Sequence, residues 1–373
     1  MQEIIFYGPL GIAKHYLGGG EVGNMRTLSV LEKAGYNILV LEKPYLLDIQ
    51  YFRDFIAPFQ FFFKMFLLIF KRFGEYKDVE VFHISAFYFK LMFFEYLFIT
   101  IAKILGLKTV YEIRAGGMIN AYNESGVIYK KLFCWTVRKS DLVLCQGKEY
   151  CEFLSKNLGI KSYYYPNYIQ TRFIKEENQT ELRMNNKLIE LVYFGRLIET
   201  KRIDFIIKIA YLLKAKSVKF KLNLIGSGKE NYITKINAII DNLELSKEVI
   251  IHGRMNMDEM SCVLKNQHFF LFPSEDVREG HSNALTEAMS FGIVPLVSDI
   301  GFNRSIVNEN QLVLDMDDPN NYVNKVIKIF NNPKKWKKLS NKMHSRIIEN
   351  FTEEIVAKSL VDGYSTLIKN VIK

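Results

Sequence analysis

Cysteine is scarce. The four residues Cys134, Cys145, Cys151 and Cys262 are scattered over 373 positions and include no CxxC pair, which argues against a zinc site and reads as reduced thiols in the cytosol. Low-complexity tracts and short solenoid repeats are absent. The opening MQEIIFYGPLG enters a strand-like run with no basic region leading into an apolar one, so it does not read as a signal peptide. The expected location is the cytoplasm. Acidic residues are outnumbered: 40 Asp and Glu face 50 Lys and Arg, leaving +10. Nucleic acid, an anionic membrane surface, phosphate-bearing substrates or a lysine-rich composition would each account for that excess, and charge alone does not choose.

Long uninterrupted apolar runs are also missing. The nearest is 55–73, FIAPFQFFFKMFLLIFKRF, with Lys64 in its middle and Pro58 near its start. A spanning helix needs about 20 mostly apolar residues, so this segment is expected either to pack in the N-terminal half or to lie in a membrane interface, where aromatics beside Lys64, Lys71 and Arg72 would suit anionic lipid.

Elsewhere short apolar runs alternate with helix-length segments. In the first half the runs are 4–8, 37–42, 79–84, 108–113, 141–145 and 162–166, and in the second 188–195, 220–226, 248–253, 269–273, 293–298 and 311–315. Helical patterning at 20–34, 50–74, 86–106, 124–138 and 148–158 separates the first set. The pattern lapses in the polar stretch 171–187. This predicts an α/β chain of two Rossmann-like parallel-sheet domains facing a cleft, at 1–170 and 188–350, with a final helix in 351–373 returning to the first. Ligands of such sheets lie beyond the carboxyl ends of the strands.

Three loops of the second half are therefore of interest. After 269–273 comes SEDVREGHSNALTEAMSFG. Glu279 and Glu287, eight residues apart, would stand about 80° apart on one helix, so Glu279 is expected in the loop and Glu287 one turn inside the helix. Gly280 permits close backbone approach, Ser282 or Asn283 can cap the helix and Gly292 can end it. The helix start would welcome a phosphate, and Glu287 could take ribose hydroxyls. After 188–195, Gly195 and Arg196 are followed by Lys201; two cations above a sheet edge suit a diphosphate. After 220–226 comes the turn Gly226-Ser227-Gly228, weak evidence alone.

In order and spacing over about 190–315, these residues resemble the donor domain of the retaining GT-B glycosyltransferases of group 1 (family 4). That family carries E-x7-E after a strand ending in "PS", then "EAM-x-x-G-x-P-V-V-x-S"; this chain has Pro273, Ser274, EGHSNALTE and EAMSFGIVPLVSD. The family's "GR-x5-K" is matched by Gly195, Arg196 and Lys201 with four residues between, and its "IGxG" by IGSG. The resemblance implies transfer of a sugar from a nucleotide sugar, such as a UDP- or GDP-sugar, to a glycan or lipid-linked acceptor. It implies retention, no cofactor and no tightly bound metal, and a place in cell-surface polysaccharide synthesis. Arg196 and Lys201 would clamp the diphosphate, Glu279 would lie by the donor sugar, Glu287 would hold the ribose, and Gly280, His281, Ser282 and Asn283 would meet the sugar or its phosphate. Either clamp residue exchanged for Ala should then lower transfer with folding intact. Two departures stand out: Arg202 where Gly is common, and His281 where an aromatic is common, so that a variable loop residue is the readier account of His281. Asp315-Met316-Asp317 is DxD-like, but its place before Pro319 favours turn and cap chemistry over a metal.

In the first half, Gly18, Gly19 and Gly20 precede a helix expected near Glu21, where the family has a glycine loop beside donor phosphates. His83 ends a strand and is either a packed core residue or a family-like site histidine. Arg114 stands where many members have a histidine. It cannot act as a neutral base, so it is expected to bind an anionic group. Tyr168 replaces a common Gly in the "PNG" segment. The alternatives are a GT-B epimerase or phosphorylase, a non-catalytic scaffold subunit, and a basic nucleic-acid binder, for which no recognition motif is found.

Overall fold

The computed structural model describes residues 2–11, 19–43, 50–86, 89–114, 116–170, 174, 183 and 187–369. Most of the expected linker 171–187, with Gly18, lies outside the described residues. The chain divides into two compact units, Met1–Asn167 with Val356–Lys373, and Tyr168–Ile355.

The first unit holds β1 (Glu3–Gly8), β2 (Asn37–Glu42), β3 (Val81–Ala86), β4 (Lys108–Ile113), β5 (Leu142–Cys145) and β6 (Tyr163–Tyr164) in the order β2-β1-β3-β4-β5-β6. The second holds β7 (Ile189–Phe194), β8 (Phe220–Ile225), β9 (Val249–Gly253), β10 (Phe269–Phe272), β11 (Val294–Ser298) and β12 (Val313–Leu314) in the order β12-β11-β10-β7-β8-β9. Pairing is parallel throughout both sheets. Strands such as LVLC, FFLF and VPLVS are buried at every residue, as strands covered by helices on both faces must be. This is the expected two-domain Rossmann-like architecture.

Local signals set the helix starts of the second unit. Asn256 and Glu259 form a reciprocal capping box, and Asp318 and Asn332 cap helices Pro319–Phe330 and Pro333–Asn350, each with Pro in its first turn. The expected helix 124–138 runs Val127–Lys139, starting three residues later because Ser125 and Gly126 adopt extended backbone, and a short helix not foreseen in the sequence, Met118–Glu124, precedes it. From Val356 the last helix, Glu353–Lys369, belongs to the first unit: the Ser359 hydroxyl donates to Tyr164 O at 2.8 Å and Gly363 admits Leu142 and Leu144.

Candidate active site

In the second sheet the chain runs outward in one direction through β7, β8 and β9, and in the other through β10, β11 and β12. The reversal falls between β7 and β10, where open α/β sheets bind ligands at their strand ends. The sequence-predicted cations and acids of the second half meet there. Lys201 ends a 3-10 turn after β7. Its Nζ pairs with Glu279 Oε2, stands 3.3 Å from Ser274 Oγ and reaches Asp276 Oδ2 at 3.7 Å. Ser274 Oγ in turn donates to Glu279 Oε2 at 2.9 Å. The side chains of Lys201 and Glu279 are 7% and 12% exposed. Arg196 differs: it is 66% exposed, and its Nη2 touches Asp276 only at 3.8 Å. Tyr193, buried in β7, holds the Arg196 carbonyl through a 2.8 Å bond from its hydroxyl. Burial first, and then the Glu279 charge, push that phenol's pKa up.

Asp276 escaped the sequence reading. It is buried, and burial alone would raise its pKa. Lys201, the Arg278 amide at 3.1 Å and the Arg278 guanidinium outweigh that and hold it below the ordinary carboxylate value. Two acids, Asp276 and Glu279, and three cations, Arg196, Lys201 and Arg278, thus occupy one strand-end cluster, and the cations are already paired with carboxylates. Loss of Lys201 would strand a nearly buried carboxylate, so its removal should lower stability as well as transfer. Arg196 remains a clean probe.

The loops are packed backbone against backbone. A Cβ on Gly226 would lie 1.8 Å from Gly195 O, and one on Gly228 1.9 Å from Leu197 O. Gly195 and Gly226 adopt φ of +141° and +143°, which side chains avoid. The GSG turn is thereby explained by contact between the β7 and β8 loops. Gly301, also missed, does the same for the Glu279 loop, since a Cβ there would lie 2.0 Å from Glu279 O. Gly280 follows Glu279 in this loop. Ser282 is the cap of helix Asn283–Ser290, accepting from Leu285 N, so the choice between Ser282 and Asn283 falls on Ser282. Glu287 is half-buried one turn inside, as spacing predicts. His281 is buried, its ring against Phe351 at 4.9 Å. Arg202 adopts φ +52°, the left-handed region that accounts for glycine being common there. It is held by Met316 O at 2.9 Å and by ion contacts to Glu275 and Asp317. Asp315 closes a turn onto the Asp317 amide. Among the described residues no three His, Cys, Asp or Glu cluster to hold a metal.

In the first unit the sheet reverses between β1 and β3. Helix Gly19–Lys33 begins at Gly19, with Gly20 next, two residues before the expected Glu21. Asn24 on that helix donates to Pro9 O at 2.8 Å and accepts from Ser85 at 2.9 Å, pinning it above β1 and β3. Here Arg114 departs from the expectation, and the choice left open at His83 falls on the core. Arg114 is 5% exposed; its Nη2 lies 2.7 Å from Glu112 Oε1, Nη1 donates to Asn167 at 3.2 Å, and Nη2 also reaches Thr27. A Cβ on Gly23 would stand 2.2 Å from Nη1. The anion bound by Arg114 is thus Glu112, two positions earlier on the same sheet face, because a buried guanidinium needs a carboxylate. His83 is fully buried, with Nδ1 2.6 Å from the Tyr364 hydroxyl and Nε2 2.9 Å from Glu112 Oε2, and is a core histidine. Tyr168 is likewise buried.

Two Rossmann-like domains in series, with the acid and cation cluster at the switch point of the second, define the GT-B class of glycosyltransferase folds. Residues 174–347 match the family Glycosyl transferases group 1. Over 194 residues the chain is 26% identical to the poly(ribitol-phosphate) alpha-N-acetylglucosaminyltransferase of Staphylococcus aureus, covering 51% of this chain and 38% of that protein. It is 24% identical over 197 residues to the capsular polysaccharide biosynthesis glycosyltransferase CapM of S. aureus, covering 52% and 50%. The chain thus aligns with half or less of the length of these curated relatives. Among solved structures, Anabaena HepE in complex with UDP superposes with a TM-score of 0.72 at 11% identity, covering 98% of this chain and 100% of that one.

Proposed function

We propose that this chain is a retaining glycosyltransferase that moves a hexosyl unit from a nucleotide sugar to a glycan or lipid-linked acceptor in cell-surface polysaccharide synthesis. The observation that carries the reading is the switch-point cluster of Arg196, Lys201, Asp276 and Glu279 in a stretch of group 1 sequence. The staphylococcal relatives favour a surface polymer as acceptor, and the UDP complex of the HepE structure favours a uridine nucleotide. In this reading the anomeric carbon–phosphate oxygen bond breaks and the acceptor oxygen bonds on the same face. The departing phosphate takes the acceptor proton, and Arg196 and Lys201 neutralise its growing charge in place of a metal. Glu287 holds the ribose, and Glu279 serves the donor sugar once the diphosphate has drawn Lys201 away.

The test is product analysis with UDP- and GDP-sugars and polyol-phosphate or lipid-linked acceptors, in EDTA. An α-linked product from an α-donor, with Arg196→Ala lowering turnover about 100-fold at an unchanged unfolding midpoint, is expected. Donor interconversion without acceptor would instead mark an epimerase, and failure to bind any nucleotide sugar a scaffold.

A further inference from the structure

We propose that the outward face of helix Gln50–Arg72 docks on an anionic lipid bilayer. This deepens the membrane-borne acceptor of the reading above, yet its test needs no donor and stands or falls separately. The helix carries two apolar stripes. Phe61, Met65 and Leu68 are buried in the first unit. Phe59, Phe62, Phe63, Phe66 and Phe70 recur at helical spacing on the other side within an arc of about 100°, and with Phe73, which follows the helix end, are each 50–80% exposed. Together they leave on the order of 700 Å² of aromatic surface in water, more than the largest patch of a typical soluble monomer.

The patch does not end with its helix. Phe62 packs edge-on against Phe94, which contacts Phe93, itself half exposed. Residues 58–73 contain no Asp or Glu. Lys64 and Lys71 lie two turns apart on one flank of the aromatic face; Lys71 pairs with Glu75 at 2.7 Å just past the helix, an exposed pair that a phosphate headgroup can replace, while Lys64 can reach a headgroup directly as the rings enter the acyl boundary. Because one stripe is committed to the core, the helix can only lie in the interface, and no helix among the described residues is long and apolar enough to cross a membrane. A second copy of this chain fits less well, since self-docking would bring the same lysines against each other.

The test is flotation with phosphatidylcholine vesicles, with and without 30% phosphatidylglycerol (roughly the anionic content at which surface potential matters). The intact chain should float with the anionic vesicles and bind about tenfold less without the anionic lipid or at high salt. Phe63→Ser/Phe66→Ser/Phe70→Ser should lose binding about tenfold or more with unchanged thermal unfolding, because these three side chains are exposed and, among the described residues, their ring contacts run only between Phe66 and Phe70. Phe66→Trp should be quenched by brominated lipid only when vesicles are anionic. Vesicle binding undiminished in the triple variant, or absent from the intact chain, would overturn the proposal. So would a triple variant whose only change is conversion of a dimer to a monomer in sedimentation.

Discussion

Replacing Lys201 by Met keeps most of the side-chain volume over the Phe272 ring and removes the ammonium. Glu279 then loses its closest partner while 12% exposed, keeping only Ser274 as a donor at 2.9 Å. Breaking a buried ion pair typically costs 3–5 kcal/mol. The residual exposure, and the Arg196 and Arg278 side chains that remain near Asp276, bring the expected loss to about 2–3 kcal/mol. Lys201→Met/Glu279→Gln removes the stranded charge while keeping an oxygen for Ser274, and should recover about 1–2 kcal/mol of it. The assay is guanidinium unfolding in a Trp135→Phe background. The remaining tryptophan, Trp336, is buried in the second unit and bonded to His268 O at 3.3 Å, so its fluorescence reports that unit. A single variant within about 0.5 kcal/mol of the parent, or a double variant no more stable than the single, would falsify the view that the clamp is internally paired before donor arrives.

Other perturbations follow from the same geometry. Gly226→Ala drives a Cβ into the Gly195 carbonyl at φ +143° and should cost on the order of 3 kcal/mol in the same denaturation. At Arg202, Gly relieves the left-handed backbone but loses the Met316 bond and the two ion contacts. The expected stability order is Arg above Gly above Ala, with steps of about 1 kcal/mol; Ala equal to Gly would rule out the backbone account. His268 accepts the Glu190 amide at Nδ1 and faces Arg183 O at Nε2, so only the neutral ring fits. Burial lowers its pKa from 6.5 to about 4. With the folded value depressed, its contribution is complete above pH 6.5 and up to about 3 kcal/mol is lost as pH falls to 4. His268→Gln should flatten that part of the pH–stability curve.

What was legible in the sequence is what periodicity and turn chemistry govern. Apolar runs such as FFLF and VPLVS located the twelve strands found among the described residues within about two residues, and Ser282, Gly292 and Pro319 marked helix ends through local chemistry. Arg196, Lys201, Glu279 and Glu287 could be chosen because strand ends are where such sheets bind ligands. Partners across the fold were not legible. Asp276 belongs to the cluster only because β10 lies beside β7, 78 residues separating Lys201 from Glu279. Arg114 looked like a free cation until the pleat of β4 put Glu112 beside it, although the E-x-R spacing held that signal. His83 became a core residue because Tyr364, 281 positions away, arrives on the last helix. The aromatic run 55–73 told of apolarity but not of two faces; only packing decided that Phe61 and Leu68 turn inward and Phe62, Phe66 and Phe70 turn out. Sequence determines what a segment can do with its neighbours in the chain, whereas pairing of charges and exposure of a face depend on which distant segments the folded sheets bring together.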